Sequence, residues 1–101
     1  MVMGLLDHSV ISTNTTPSIG ALTGVQISID GGASYSSGST DRFTFANLTL
    51  ASYRWSGACQ HHVMGTPTGS IKIRAYIQQN SGVAGDVTWD DFNLVWMIYA
   101  M

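Results

Sequence analysis

Cys59, His61 and His62 are the tightest grouping of metal-binding side chains in this 101-residue chain. A thiolate and imidazoles are zinc-type ligands, and such a site needs three or four of them to converge. Successive residues of a strand point to opposite faces, so His61 and His62 diverge and only Cys59 and His61 can meet. No fourth ligand has an obvious source. The expectation is therefore no metal and no cofactor, with a loop histidine pair beside a buried free cysteine. Asp86, Asp90 and Asp91 form a second grouping. Oxygen-rich loops hold calcium, but this spacing matches no calcium loop, and turn capping and solubility explain it better. Asp90 and Asp91 also place charge beside an apolar strand, as a guard against edge pairing does. Acid–base work by paired carboxylates needs a cleft and a raised pKa, and spacing supplies neither. No serine sits in a G-x-S-x-G elbow, and no phosphate-cradling loop is present. Asn14-Thr15-Thr16 and Asn47-Leu48-Thr49 fit the glycosylation pattern, which carries little weight without a secretion signal. No catalytic residue is expected, and the chain reads as not an enzyme.

The elements that must carry these residues are strands. Hydrophobic residues make up 45% of the chain and charged ones only 10%, well under the roughly 25% usual in soluble domains. All six acids are Asp, and Lys72 is the sole lysine, so the long side chains that cover exposed helix faces are nearly missing. Ser, Thr, Asn and Gly, which favour turns and strands, supply the polar surface. The length suits one domain with one core. A net charge of −2 with four basic residues gives no footprint for nucleic acid. No apolar run reaches the roughly 18 residues of a membrane helix, and Met1 to Val10 lacks the cationic start of a signal peptide. The expectation is a soluble chain made in a cytoplasm, with neither nucleic acid nor membrane as partner. A single cysteine allows no internal disulfide, so the fold rests on packing.

Along the chain, residues 1 to 24 are mixed and read as an N-terminal arm or first edge strand, with residues 25 to 101 as the β-sandwich domain. Val25, Ile27 and Ile29 alternate with Gln26 and Ser28 until Asp30-Gly31-Gly32 signals a hairpin. Ala33 to Thr40 is a short return strand or a loop anchored by Tyr35. Arg42 to Leu50 alternates with a phase slip near Asn47, read as a bulge or a bend between sheets. Ser52 to Trp55 extends that strand as far as Gly57, and residues 58 to 69 read as a connection. Ile71, Ile73, Ala75 and Ile77 face one way, with Lys72, Arg74, Tyr76 and Gln78 opposite. Asn80 to Asp86 turns the chain back. The closing segment sets Phe92, Leu94, Trp96 and Ile98 on one face and Val95, Met97 and Tyr99 on the other. Both faces are apolar, unlike a half-exposed antiparallel strand. Either this is a central strand covered within one domain, or one face packs on the core and the other on a neighbouring subunit. The second is preferred, because so small a domain has few elements left to cover another face. Short strands about ten residues apart, with no helical pattern, indicate a sandwich or barrel.

Ser28-Ile29-Asp30-Gly31-Gly32-Ala33-Ser34-Tyr35 resembles the Asp-box hairpin of sialidases and related propellers, a structural turn in those families. One copy in a chain this short implies a hairpin with an aromatic anchor and no propeller. The half from Asn47 to Met101 resembles the last strands of jelly-roll or TNF-like domains in bacteriophage tail fibres, head fibres and decoration proteins. The likeness lies in Gly69-Ser70-Ile71-Lys72-Ile73-Arg74-Ala75-Tyr76, the glycine turn through Gly82 and Gly85, and Asp91-Phe92-Asn93-Leu94-Val95-Trp96-Met97-Ile98-Tyr99. It implies an antiparallel jelly-roll sandwich that forms a homotrimer on a virion, with the terminal strand near the threefold axis. There is no shaft or collagen-like repeat, which favours a free-standing capsid decoration or cement protein bound to the major capsid protein or another virion protein. Subunit packing then falls to Trp89, Phe92, Leu94, Val95, Trp96, Met97 and Tyr99, since aromatic residues are the usual anchors of interfaces. The competing reading is the receptor-binding knob of a tail or head fibre, with Tyr35, Tyr53, Trp55, His61 and His62 presented to a host glycan. A third is a cupin-like metal enzyme using His61 or His62.

Overall fold

The computed structural model describes residues 1–12, 19–45, 53–79 and 87–99. Six strands account for most of them: β1 (Val2–Ser12), β2 (Ile19–Ser28), β3 (Ser36–Phe45), β4 (Tyr53–Val63), β5 (Lys72–Gln79) and β6 (Val87–Ile98). They form two three-stranded sheets, ordered β4-β1-β6 and β3-β2-β5, and every pairing is antiparallel. The sheets stack face to face, so the fold is an all-β antiparallel sandwich. The chain crosses between sheets after β1, β3, β4 and β5, and only β2 and β3 are joined as a hairpin within one sheet.

Alternation with period two decides what each strand buries. Val2, Leu6, His8, Val10 and Ser12 of β1 point inward and are buried, while Leu5 and Asp7 point out. From the other sheet, Ala21, Thr23, Val25 and Ile27 meet them. Two apolar clusters result. Val10, Ala21 and Val87 form one, and Val2, Leu6, Val25, Ile27 and Cys59 form the other, with Trp89 packed against both.

The two long sides of the sandwich differ. Along β3 and β4 the sheets are stitched by polar contacts: Ser39 Oγ donates to the Gln60 carbonyl (2.9 Å), Ser36 Oγ bonds His61 Nε2 (2.8 Å) and the Trp55 indole donates to Asp41 (3.0 Å). Backbones approach closely there. A β-carbon on Gly57 would collide with the Asp41 carboxylate, so any larger residue there must displace the carboxylate from the Trp55 indole. Along β5 and β6 the sheets are tied at one end, where the Val87 N–H donates to Gln79 Oε1 (3.2 Å), and part toward the other. The gap is a cleft of about 320 Å³ lined by Ile71, Ile73, Leu94, Trp96 and Ile98.

Several sequence expectations are corrected. Val2–Ser12 is neither arm nor edge: it is the central strand of its sheet, and Ile19–Gly24 belongs to β2. The core face of β1 carries Gly4, His8 and Ser12 among its aliphatics while Met3, Leu5 and Ile11 lie outside, which blurs the alternation. Residues 58 to 63 are strand, not connection, and Gly57 lies in mid-strand. That stretch hid because its inward positions include the polar His61. Tyr53–Trp55 opens β4 in the opposite sheet and does not prolong β3. Ala33–Thr40 resolves into a turn followed by β3. The phase slip near Asn47 and the turn at Asn80–Asp86 lie outside the described residues.

Candidate functional site

β6 is the feature that the fold leaves unfinished. Its register against β1 pairs Phe92, Leu94, Trp96 and Ile98 with the inward residues His8, Leu6, Gly4 and Val2. Val95 and Met97 pair with the outward residues Leu5 and Met3. The two faces are therefore those read from the sequence. Neither is covered: Phe92 is 49% exposed, Val95 48%, Trp96 58%, Met97 47%, Ile98 51% and Tyr99 44%. The inward set stays wet because β6 is an edge strand and the cleft beside it gapes. Leu94 is half-buried as part of that cleft lining. The outward set, with Leu5, forms an apolar patch on the open face of the β4-β1-β6 sheet, bordered by exposed Gln60, His62, Asp7 and Asn93. On the side away from β1, β6 has no hydrogen-bonded neighbour among the described strands.

Trp89 differs from the rest of its strand. The β1–β6 register shifts between Ser9 and Val10, which makes Asp90 an extra residue and turns both Trp89 and Phe92 inward. The Trp89 ring packs edge-on to His8 (5.6 Å between centroids) and lies 5.3 Å from Phe92, so it serves the protomer's own core. The bulged Asp90 accepts a hydrogen bond from Ser9 Oγ (2.9 Å) and pairs with Arg54 (3.2 Å). This clamp makes one end of the outer face polar and leaves the other end apolar. Asp86 lies outside the described residues.

The residues proposed for a ligand surface are not gathered into one patch. Trp55 and His61 share a face of β4 but stand six residues, about 20 Å, apart along the strand. His62 points to the other face. The Tyr35 ring lies at the β2–β3 turn beneath the Arg74 guanidinium, 3.7 Å from its centroid, on the other sheet. The side chain of Tyr53 lies outside the described residues. In the turn itself, the Asp30 carboxylate accepts hydrogen bonds from the Ser34 N–H (2.9 Å), the Ser34 hydroxyl and Ser28 Oγ (2.7 Å), which hold its pKa at about 2. Gly31 and Gly32 supply the positive φ angles of 77° and 95° that the turn requires.

A buried polar network, missed in the sequence, crosses the core. His8, 4% exposed, brings Nε2 to 2.7 Å from Thr23 Oγ1 and 3.4 Å from Asp41 Oδ2, bridging the two sheets. A carboxylate only accepts, so the neutral tautomer that suits this site carries its proton on Nε2. Nδ1 is then a bare acceptor, and it has no partner among the described residues. Burial pushes the His8 pKa down against the opposing pull of Asp41 and Asp7. The signal was present: His8 stands in phase with Leu6 and Val10. Cys59 is buried beside Thr23, and burial pushes its thiol up, so it is a neutral thiol near pH 7 and a poor nucleophile. His61 is pushed down by burial and by neighbouring His62. Among the described residues no three of His, Cys, Asp and Glu are placed to hold a metal ion, and no helix is long and apolar enough to cross a membrane. Comparison with family models, with curated proteins and with solved structures finds no match for this chain.

Proposed function

We propose that this chain is a non-enzymatic structural protein that works as a homotrimer on the surface of a virus particle, decorating or cementing a capsid through surface contacts. The observation that carries the assembly part is the exposure of both apolar faces of β6. Phe92, Trp96 and Tyr99 each leave about half of the residue in water, and with Leu5, Val95, Met97 and Ile98 the apolar area exposed on the two faces together is on the order of 600 Å². Divided between the two faces of the strand, that is about 300 Å² a face, within the size range at which the largest apolar patch of a monomer is often a functional surface. The location on a virion rests on the resemblance of residues 47–101 to phage jelly-roll domains. The glycan-binding alternative has less support, because its residues are spread over two sheets.

Sedimentation equilibrium of the isolated chain tests the assembly. The expected species has three times the 10.8 kDa protomer mass. A monomer that stays soluble at high concentration would refute it. The location is tested by mixing the protein with phage capsids and imaging them: added density at regular lattice positions is expected, and bare shells would overturn it.

A further inference from the structure

The two apolar surfaces of β6 lie on opposite faces of one strand. The open cleft, with Trp96 and Ile98 at its mouth, faces the other sheet, and the Leu5–Val95–Met97 patch faces away from it. A single neighbour cannot lie on both sides of a strand, so one two-fold contact would leave one surface wet. We infer that each protomer meets two others through one head-to-tail contact, the β5–β6 edge of one copy seating on the outer face of the β4-β1-β6 sheet of the next. This deepens the assembly proposed above and rests on it.

Three observations make a second copy of this chain the occupant. The two surfaces are of similar apolar size, Phe92, Trp96 and Ile98 being 49–58% exposed on one and Leu5, Val95 and Met97 42–48% exposed on the other, so each can cover the other. The charges nearest each surface are of opposite sign: exposed Lys72 and Arg74 stand on the outer face of β5, the strand whose inner face lines the cleft, and exposed Asp7 and Asp91 stand beside the patch. The patch has an apolar centre and a polar rim, the anatomy of a protein interface, with no charge at the centre. A contact between two different surfaces closes into a ring when its rotation allows, and a trimer is such a ring.

Two variants separate this contact from a two-fold one. Val95→Asp with Met97→Asp spoils the patch, and Trp96→Asp with Ile98→Asp spoils the mouth of the cleft. All four sites are about half exposed, so the protomer should still fold, as amide dispersion in an NMR spectrum would show. Each variant alone is expected to be monomeric by sedimentation. An equimolar mixture is expected to form a heterodimer and nothing larger, because one intact cleft and one intact patch remain. If either variant alone keeps the wild-type assembly, or the mixture stays monomeric while the wild type assembles, the head-to-tail contact is wrong and the oligomer stands. A monomeric wild type refutes both proposals together. Should an aspartate pair unfold the chain, Val95→Ser with Met97→Gln and Trp96→Ser with Ile98→Thr are read in the same way.

Discussion

Acid should loosen this sandwich through His8, and the structure sets the sign. The imidazole is buried between the sheets, its Nδ1 without a partner among the described residues, and its pKa is lowered by burial, against Asp41 and Asp7. Above the unfolded value of 6.5 both states are neutral and His8 adds no pH dependence. As pH falls through 6.5 the unfolded chain takes up the proton first, so stability is lost down to the folded pKa and then levels off. The steepest slope that one such group can give is ~1.4 kcal/mol per pH unit. In a domain of this size 1 kcal/mol moves the melting temperature by about 4–8 °C. The assay is urea unfolding at fixed protein concentration, followed by tryptophan fluorescence, at pH 7.5, 6.5, 5.5 and 5.0, above the carboxylate range. His8→Phe keeps a ring against Trp89 and removes the titration. It leaves the buried Thr23 hydroxyl without its imidazole partner, at a cost of ~1–3 kcal/mol near pH 7.5. Its slope between pH 6.5 and 5.0 should be shallower than the wild type's, with the remainder due to His61, which shifts in the same direction. Equal slopes in the two proteins would refute the reasoning.

Leu6 is fully buried at the centre of the larger apolar cluster, and Leu6→Ala should destabilise by ~2.7–5 kcal/mol, measured by urea unfolding; a cost under 1 kcal/mol would mean that the two sheets are not packed there. Gly57→Ala drives a methyl group into the Asp41 carboxylate and toward the Trp55 indole, so a loss of ~1–3 kcal/mol and a changed near-ultraviolet signal are expected at the β3–β4 seam. Asp30→Asn weakens the bonds that close the β2–β3 turn and should lower the melting temperature at neutral pH. Because the Asp30 pKa is depressed to about 2, the turn's contribution in the wild type is present above pH 3.8 and fades as pH falls toward 2, so the gap between wild type and variant should shrink over that interval. A gap that stays constant would show that the carboxylate charge is not what holds the turn.

The legible parts of the sequence are those where one physical rule acts alone. β5 reads true residue by residue, Ile73, Ala75 and Ile77 against Lys72, Arg74 and Tyr76, because one of its faces meets the core and the other meets water. The Asp30-Gly31-Gly32 turn is set locally, by a carboxylate that accepts from two nearby serines and by two glycines at positive φ. The two apolar faces of β6 were visible for the same reason. Strand partners were not legible. β1 joins β4 and β6, which lie some fifty and ninety residues away in sequence, and its core face mixes glycine, histidine and serine with aliphatics. Composition and alternation thus determine by themselves that the chain is all-β, and which side of most strands is apolar. Tertiary structure alone decides that His8 finds Thr23 and Asp41 across the sheets and that the β5–β6 side stays open, because both depend on which distant strands pair and at what register, and no residue's immediate neighbours encode that.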